Sequence, residues 1–185
     1  MIFKNSSFLK SVMIASLPLY VLSSFTSSRE DEVLSKKIII ENTFAAKSES
    51  TVSIEEDLRT ALLNFGKSLL GTRYVYGGTS KKGFDCSGFV YFVFKNFKIS
   101  VPRSTSQFKN FGTEIPINEV KKGDILLFLS PTRNAIGHIG IVSNADGMQS
   151  KFIHSSSGKQ MQVMISSLSH KSYTRRFVKA IRVLQ

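Results

Sequence analysis

The hydrophobic period of this chain changes once, near residue 121, and that change limits the folds open to it. Ahead of it, Leu58, Ala61, Leu62, Phe65 and Leu69 recur at three- and four-residue steps, the stripe of an amphipathic helix. Ser53 and Glu56 form an S-x-x-E capping box, so that helix is expected to start near Ser53 and stop at Gly71. Residues 89–97 are apolar enough for a second helix buried on most sides. Behind the change, short apolar runs alternate with turn residues. Strands are expected over 124–129, 136–142, 151–154, 161–165 and 177–184. Short loops favour antiparallel pairing. Helices first and strands afterwards give an α+β fold, with the helices on one side of the sheet.

The chain holds one cysteine, Cys86, in the stretch Lys81-Lys-Gly-Phe-Asp-Cys-Ser-Gly-Phe-Val90. No intramolecular disulfide and no zinc site built on cysteine pairs can form. Asp85 suits a helix N-cap, because its carboxylate can accept from the free N–H groups of the first turn. Cys86 then occupies the first helical position, where the helix dipole favours a thiolate. A buried structural cysteine is the competing reading. The polar, glycine-rich approach favours the reactive one.

Twenty-five basic and thirteen acidic residues give a net charge of +12, which suits an anionic surface. The lysines and arginines are scattered, and no nucleic-acid-binding motif accompanies them, so nucleic acid is not the expected partner. Residues 1–28 have the layout of a signal peptide: Lys4 and Lys10, an apolar middle over 12–25, then small residues. An uncleaved N-terminal membrane anchor is the alternative. The apolar run contains Pro18 and falls short of the roughly 20 residues of a membrane span. Export to the periplasm or cell envelope is expected. Residues 29–52 read as a polar tether whose Ile38-Ile-Ile40 triplet is a stray strand or a docking segment. Residues 53–185 form the folded domain.

A cysteine nucleophile requires a base, and the base a group that orients it. His138 lies mid-strand between Gly137 and Gly140, and Gly140 leaves its face open to a neighbour or substrate. His154 ends the next expected strand, so antiparallel pairing would bring the two imidazoles together. Cys86, His138 and His154 are therefore candidate nucleophile, base and orienter. His170, among serines and a lysine, reads as a surface residue. The same three residues could instead ligate zinc, but no fourth ligand stands near, and no cofactor or metal is expected.

Together these pieces resemble the NlpC-type cell-wall endopeptidases of the papain-like cysteine peptidase superfamily. The resemblance runs from Gly71 to about Phe177. It rests on Gly71-Thr-Arg-Tyr-Val-Tyr-Gly-Gly78, Gly83-Phe-Asp-Cys-Ser-Gly-Phe89, Val101-Pro-Arg-Ser104 with Gln107, Lys122-Gly-Asp124, Gly137-His-Ile-Gly-Ile-Val142 and Phe152-Ile-His154. Tyr76 departs from the family's usual tryptophan, and a changed pocket wall is expected there. Cysteine ahead of histidine argues against the circularly permuted relatives. The resemblance implies a papain-like fold: N-terminal helices on an antiparallel sheet of five to six strands, with the catalytic cysteine at a helix N-terminus. It implies hydrolysis of peptidoglycan stem peptides, typically between γ-D-glutamate and a diamino acid. Peptidoglycan or muropeptides would be the partner, with room for a regulatory protein. Tyr74, Asp85, Ser87 and Arg103 are implied substrate-binding residues, although Asp85 is also the expected cap. A thiol amidase or acyltransferase, or a non-catalytic wall-binding module, are the alternatives.

Overall fold

The computed structural model describes residues 27–184, so the expected leader lies outside it except for Ser27 and Ser28. The chain divides into two units, Met1–Ser48 and Glu49–Gln185. Helix α1 (Ser27–Lys67) runs through the expected tether and past Ser53 and Glu56, which are therefore interior to the helix and not its cap. Residues 27–65 contain no glycine or proline, so nothing in the chain breaks the hydrogen-bond ladder. Within α1 Glu32 pairs with Lys36, four residues on, at 2.6 Å on an exposed face. Ile38, Ile39 and Ile40 are helical and exposed, not a strand. Among the described residues, no helix is long and apolar enough to cross a membrane.

In the second unit, the end of α1 buries Leu62 and Leu63, and the turn that follows it buries Leu69. Ala61, expected on that stripe, is exposed, while the charged Arg59 is fully buried. After Gly71 (φ +81°) the chain makes a small hairpin, β1 (Thr79–Ser80) with β2 (Gly83–Phe84), and enters α2 (Cys86–Asn96). Phe89, Val90, Val93 and Phe94 of α2 are fully buried. Each such side chain stabilises the fold by about 1.5–3 kcal/mol relative to exposure.

Six strands follow: β3 (Thr113–Ile115), β4 (Ile125–Leu129), β5 (Ile136–Asn144), β6 (Lys151–Ser155), β7 (Val163–Ser167) and β8 (Phe177–Arg182). All pair antiparallel, in the order β3-β8-β4-β5-β6-β7. The expected strands are present with slightly shifted ends. Only β3 lacks a sequence signal, because three residues are too few to display a period of two. A short helix, α3 (Lys171–Thr174), joins β7 to β8.

The sheet has a core on each face. Ile125, Leu127, Ile139 and Ile141 pack with α1 and α2, while Leu126, Phe128, Val142 and Phe152 form a second cluster with Leu168 and Ala180. The alternation expected along β5 holds: Ile139 and Ile141 point to the helices, and His138 points to the other side. This is the α+β, papain-like arrangement, with a helix N-terminus brought against an antiparallel sheet.

Candidate active site

Asp85 organises the start of α2. Its backbone is extended, and its Oδ1 accepts from the Gly88 N–H at 2.6 Å, the N-cap bond that the sequence called for. Oδ2 accepts from the Gly77 N–H at 3.0 Å, which pins the 74–78 turn onto the helix end. Arg103 closes the cluster, with Nη2 2.8 Å from Oδ2 and Nη1 3.1 Å from both Oδ1 and the Ser87 hydroxyl. The approach is close enough to demand glycine at 88, where a Cβ would stand 2.0 Å from the Gly78 carbonyl oxygen. Asp85 is thus occupied by cap, turn and arginine together.

Cys86 takes the first helical position, partly buried. Its Sγ lies 3.6 Å from the Thr105 hydroxyl and 3.9 Å from the Gly137 carbonyl oxygen. It makes no hydrogen bond to an imidazole. Burial pushes the thiol pKa up, and the Asp85 carboxylate adds to this. The Thr105 hydroxyl and the N–H groups of Ser87 and Cys86 pull the other way. Burial wins, so the thiolate expected from the helix dipole alone is not the resting form. Tyr74, Tyr76, Asp85, Ser87, Arg103 and Thr105 line one cleft of about 600 Å³ with Cys86 and Gly137. Tyr76 is 91% exposed at its rim. The Tyr74 hydroxyl pKa is raised by burial and by its neighbours Cys86 and Asp85.

His138 and His154 do meet. His138 Nε2 is 2.8 Å from His154 Nδ1, with the rings perpendicular. Ile141 pairs with Ile153, so His154 falls opposite Gly140, one diagonal step from His138. A Cβ at 140 would sit 2.5 Å from the Phe152 ring and 3.1 Å from the His154 Cβ. The space that Gly140 opens is filled by these neighbours. His154 Nε2 continues the chain to the Ser166 hydroxyl at 2.9 Å, with the Tyr173 hydroxyl at 3.4 Å. One proton arrangement makes His138 a base toward the cysteine side. Its Nε2–H donates to His154 Nδ1, and His154 Nε2–H donates to Ser166, leaving His138 Nδ1 with a free lone pair. Sequence reasoning missed Thr105, Ser166 and Tyr173. The strand expected over 161–165 stopped one residue before Ser166, whereas β7 continues to Ser167. His170 is exposed, as expected, and caps α3.

Burial, with the charge of Arg176, lowers the His138 pKa from 6.5 to about 4. Burial, His138 and Arg176 push His154 well below its ordinary value. Both imidazoles are therefore neutral at pH 7. Unfolding restores their ordinary values, so between about 4 and 6.5 the unfolded chain binds more protons and stability is lost as pH falls. The midpoint of thermal unfolding should drop from pH 7 to pH 4.5, and less steeply in a His138→Gln/His154→Gln double variant. Equal slopes in the two proteins would remove the histidines as the cause.

The NlpC/P60 family profile matches residues 71–182, the span that carries all of these side chains. The chain is 33% identical over 115 residues to a gamma-D-glutamyl-L-lysine dipeptidyl-peptidase of Bacillus subtilis, covering 61% of this chain and 38% of that protein. It is 32% identical over 129 residues to the Escherichia coli murein DD-endopeptidase MepS/murein LD-carboxypeptidase, covering 69% and 64%. Less than two thirds of either relative's length is spanned. The crystal structure of an NlpC/P60 family protein from Bacillus cereus superposes with a TM-score of 0.62 at 30% identity, over 69% of this chain and 40% of that one. On the extent of the profile match and the shared fold, the chain belongs to the NlpC/P60 family.

Proposed function

We propose that this protein is an exported cysteine endopeptidase that hydrolyses peptidoglycan stem peptides, with the γ-D-glutamyl-diamino acid bond as its target. The observation that carries the reading is the cysteine at a capped helix N-terminus, its sulfur 3.9 Å from the carbonyl of Gly137, the residue just before His138 of the His138–His154 pair. The names of the relatives, a gamma-D-glutamyl-L-lysine peptidase and a murein endopeptidase, supply the substrate class. Export rests on the leader-like residues 1–28, and the basic charge suits an anionic wall.

In this mechanism, substrate binding turns the Cys86 thiol from Thr105 toward His138 Nδ1, tightening a contact that is open in the free enzyme. His138 takes the thiol proton as sulfur bonds to the carbonyl carbon, and His154 accepts from the Nε2–H of the imidazolium. The Cys86 N–H donates to the oxyanion. As the C–N bond breaks, His138 returns the proton to the leaving amine. Water then gives a proton to His138, attacks the thioester and frees Cys86. Tyr74, Ser87 and Arg103 hold the acyl side of the peptide.

Digestion of purified peptidoglycan, with new termini identified by mass spectrometry, tests the reading. New amino groups on the diamino acid and new γ-D-glutamyl carboxylates are the expected products. Termini at D-alanyl crosslinks would move the target bond. No new termini, with protein retained on the sacculi, would replace the enzyme with a wall-binding module.

A further inference from the structure

A second cavity, of about 610 Å³, adjoins the cysteine cleft, and the two share Gly137 alone among their lining residues. Cys86 opens into one and His138 into the other. The His138 cavity is lined by Ser156, Ser157, Ser172, Arg175 and Arg176 among others, with no Asp or Glu among its lining residues. Arg176 is held in place: Nε donates to the Ser172 carbonyl at 2.9 Å, Nη1 to the Leu129 carbonyl at 3.4 Å, and the guanidinium lies over the Tyr173 ring. Arg175 is exposed, and its side chain has no ion pair or hydrogen bond among the described residues.

The division of labour at Gly137 gives this cavity an orientation. The acyl carbon must sit over the Cys86 sulfur. The leaving nitrogen must lie toward His138, which protonates it. The part of the substrate beyond the scissile bond therefore enters the His138 cavity. We infer that this cavity is the leaving-group subsite, and that Arg175 and Arg176 with the serine hydroxyls bind a free carboxylate on the departing amino acid or short peptide. This rests on the endopeptidase reading and specifies its substrate as one with a carboxylate close behind the cleaved bond. A guanidinium pair with hydroxyl donors matches a carboxylate's two acceptor oxygens. The field of Arg176 already reaches the base, since it helps to hold His138 low. An anion bound there would offset that field and make His138 a more effective proton carrier.

The test compares a synthetic L-Ala-γ-D-Glu-diamino acid peptide bearing a free α-carboxylate with its carboxamide, using the full chain and its Arg175→Gln variant. Arg175 is exposed, so the thermal midpoint should not move. For the wild type, kcat/KM should be about ten-fold lower on the amide, carried by KM. The variant should lose a similar factor on the carboxylate and nothing further on the amide. Equal rates on both peptides, or a variant that loses the same factor on both, overturn the subsite. Failure of the wild type to cleave either peptide or whole peptidoglycan would instead remove the endopeptidase reading, and the subsite with it.

Discussion

Cys86→Ala should lower kcat/KM on a cleavable muropeptide by about 10⁴- to 10⁶-fold, the loss typical of removing a covalent nucleophile, while leaving the thermal midpoint nearly unchanged. The substitution deletes one sulfur atom whose polar contacts are a 3.6 Å approach to Thr105 and a 3.9 Å approach to a carbonyl. Neither the cap at Asp85 nor the apolar face of α2 depends on it. Retained cleavage in the variant would end the covalent mechanism. The protonation states add a sharper test. Burial raises the thiol and lowers His138, so at pH 7 the protein holds a neutral thiol and a neutral imidazole. Alkylation of Cys86 by iodoacetamide should therefore be slow at pH 7 and rise about ten-fold per pH unit up to pH 9, as thiolate forms. A fast rate, flat from pH 6 to pH 9, would mean a preformed thiolate–imidazolium pair.

Local chemistry was readable from the residues where short-range rules govern it. Asp85 caps α2 because an aspartate ahead of a buried run has few better uses, and strand alternation separates His138 from Ile139. The His138–His154 contact followed from two short strands joined by a tight turn. What sequence could not display depends on contacts remote along the chain. The Ser166 hydroxyl reaches His154 only because β6 and β7 pair in one register, with His154 opposite Met164. The thiol pKa depends on how deeply the cleft buries Cys86, which outweighs the helix-terminus effect that a local reading sees. The start of α1 was misplaced because a capping box signals a helix start only where the preceding residues resist helix, and residues 27–52 do not. Arg59 carries no sequence signal for a related reason: apolar periodicity does not register a charge on the buried face.

That arginine underlies the largest stability effect expected. Asp124→Ala should destabilise the second unit by about 3–5 kcal/mol, the range for removing one partner of a buried ion pair. The Asp124 carboxylate is fully buried. Arg182 grips it with two bonds, 3.1 Å to Oδ1 and 2.8 Å to Oδ2, while Arg59 donates to Oδ1 at 3.2 Å and the Lys121 N–H to Oδ2 at 2.7 Å. Arg59 also donates to Glu55, to the Lys122 carbonyl and to the Leu184 carbonyl, so one cluster ties α1, the turn before β4 and the C-terminal end of β8 together. Without Asp124, Arg182 can turn toward solvent, but Arg59 stays buried with Glu55 as its one remaining carboxylate partner among the described residues. The thermal midpoint should fall by about 10–15 °C. Adding Arg59→Met should recover part of the loss, because an apolar side chain removes the buried charge while filling much of the same space. Cys86 and His138 lie outside this cluster, so the folded fraction of Asp124→Ala at low temperature should cleave with a near-normal kcat. A midpoint shift below about 3 °C would show that the carboxylate is not what holds Arg59. A double variant no better than the single would place the cost in the lost turn at Lys121 instead.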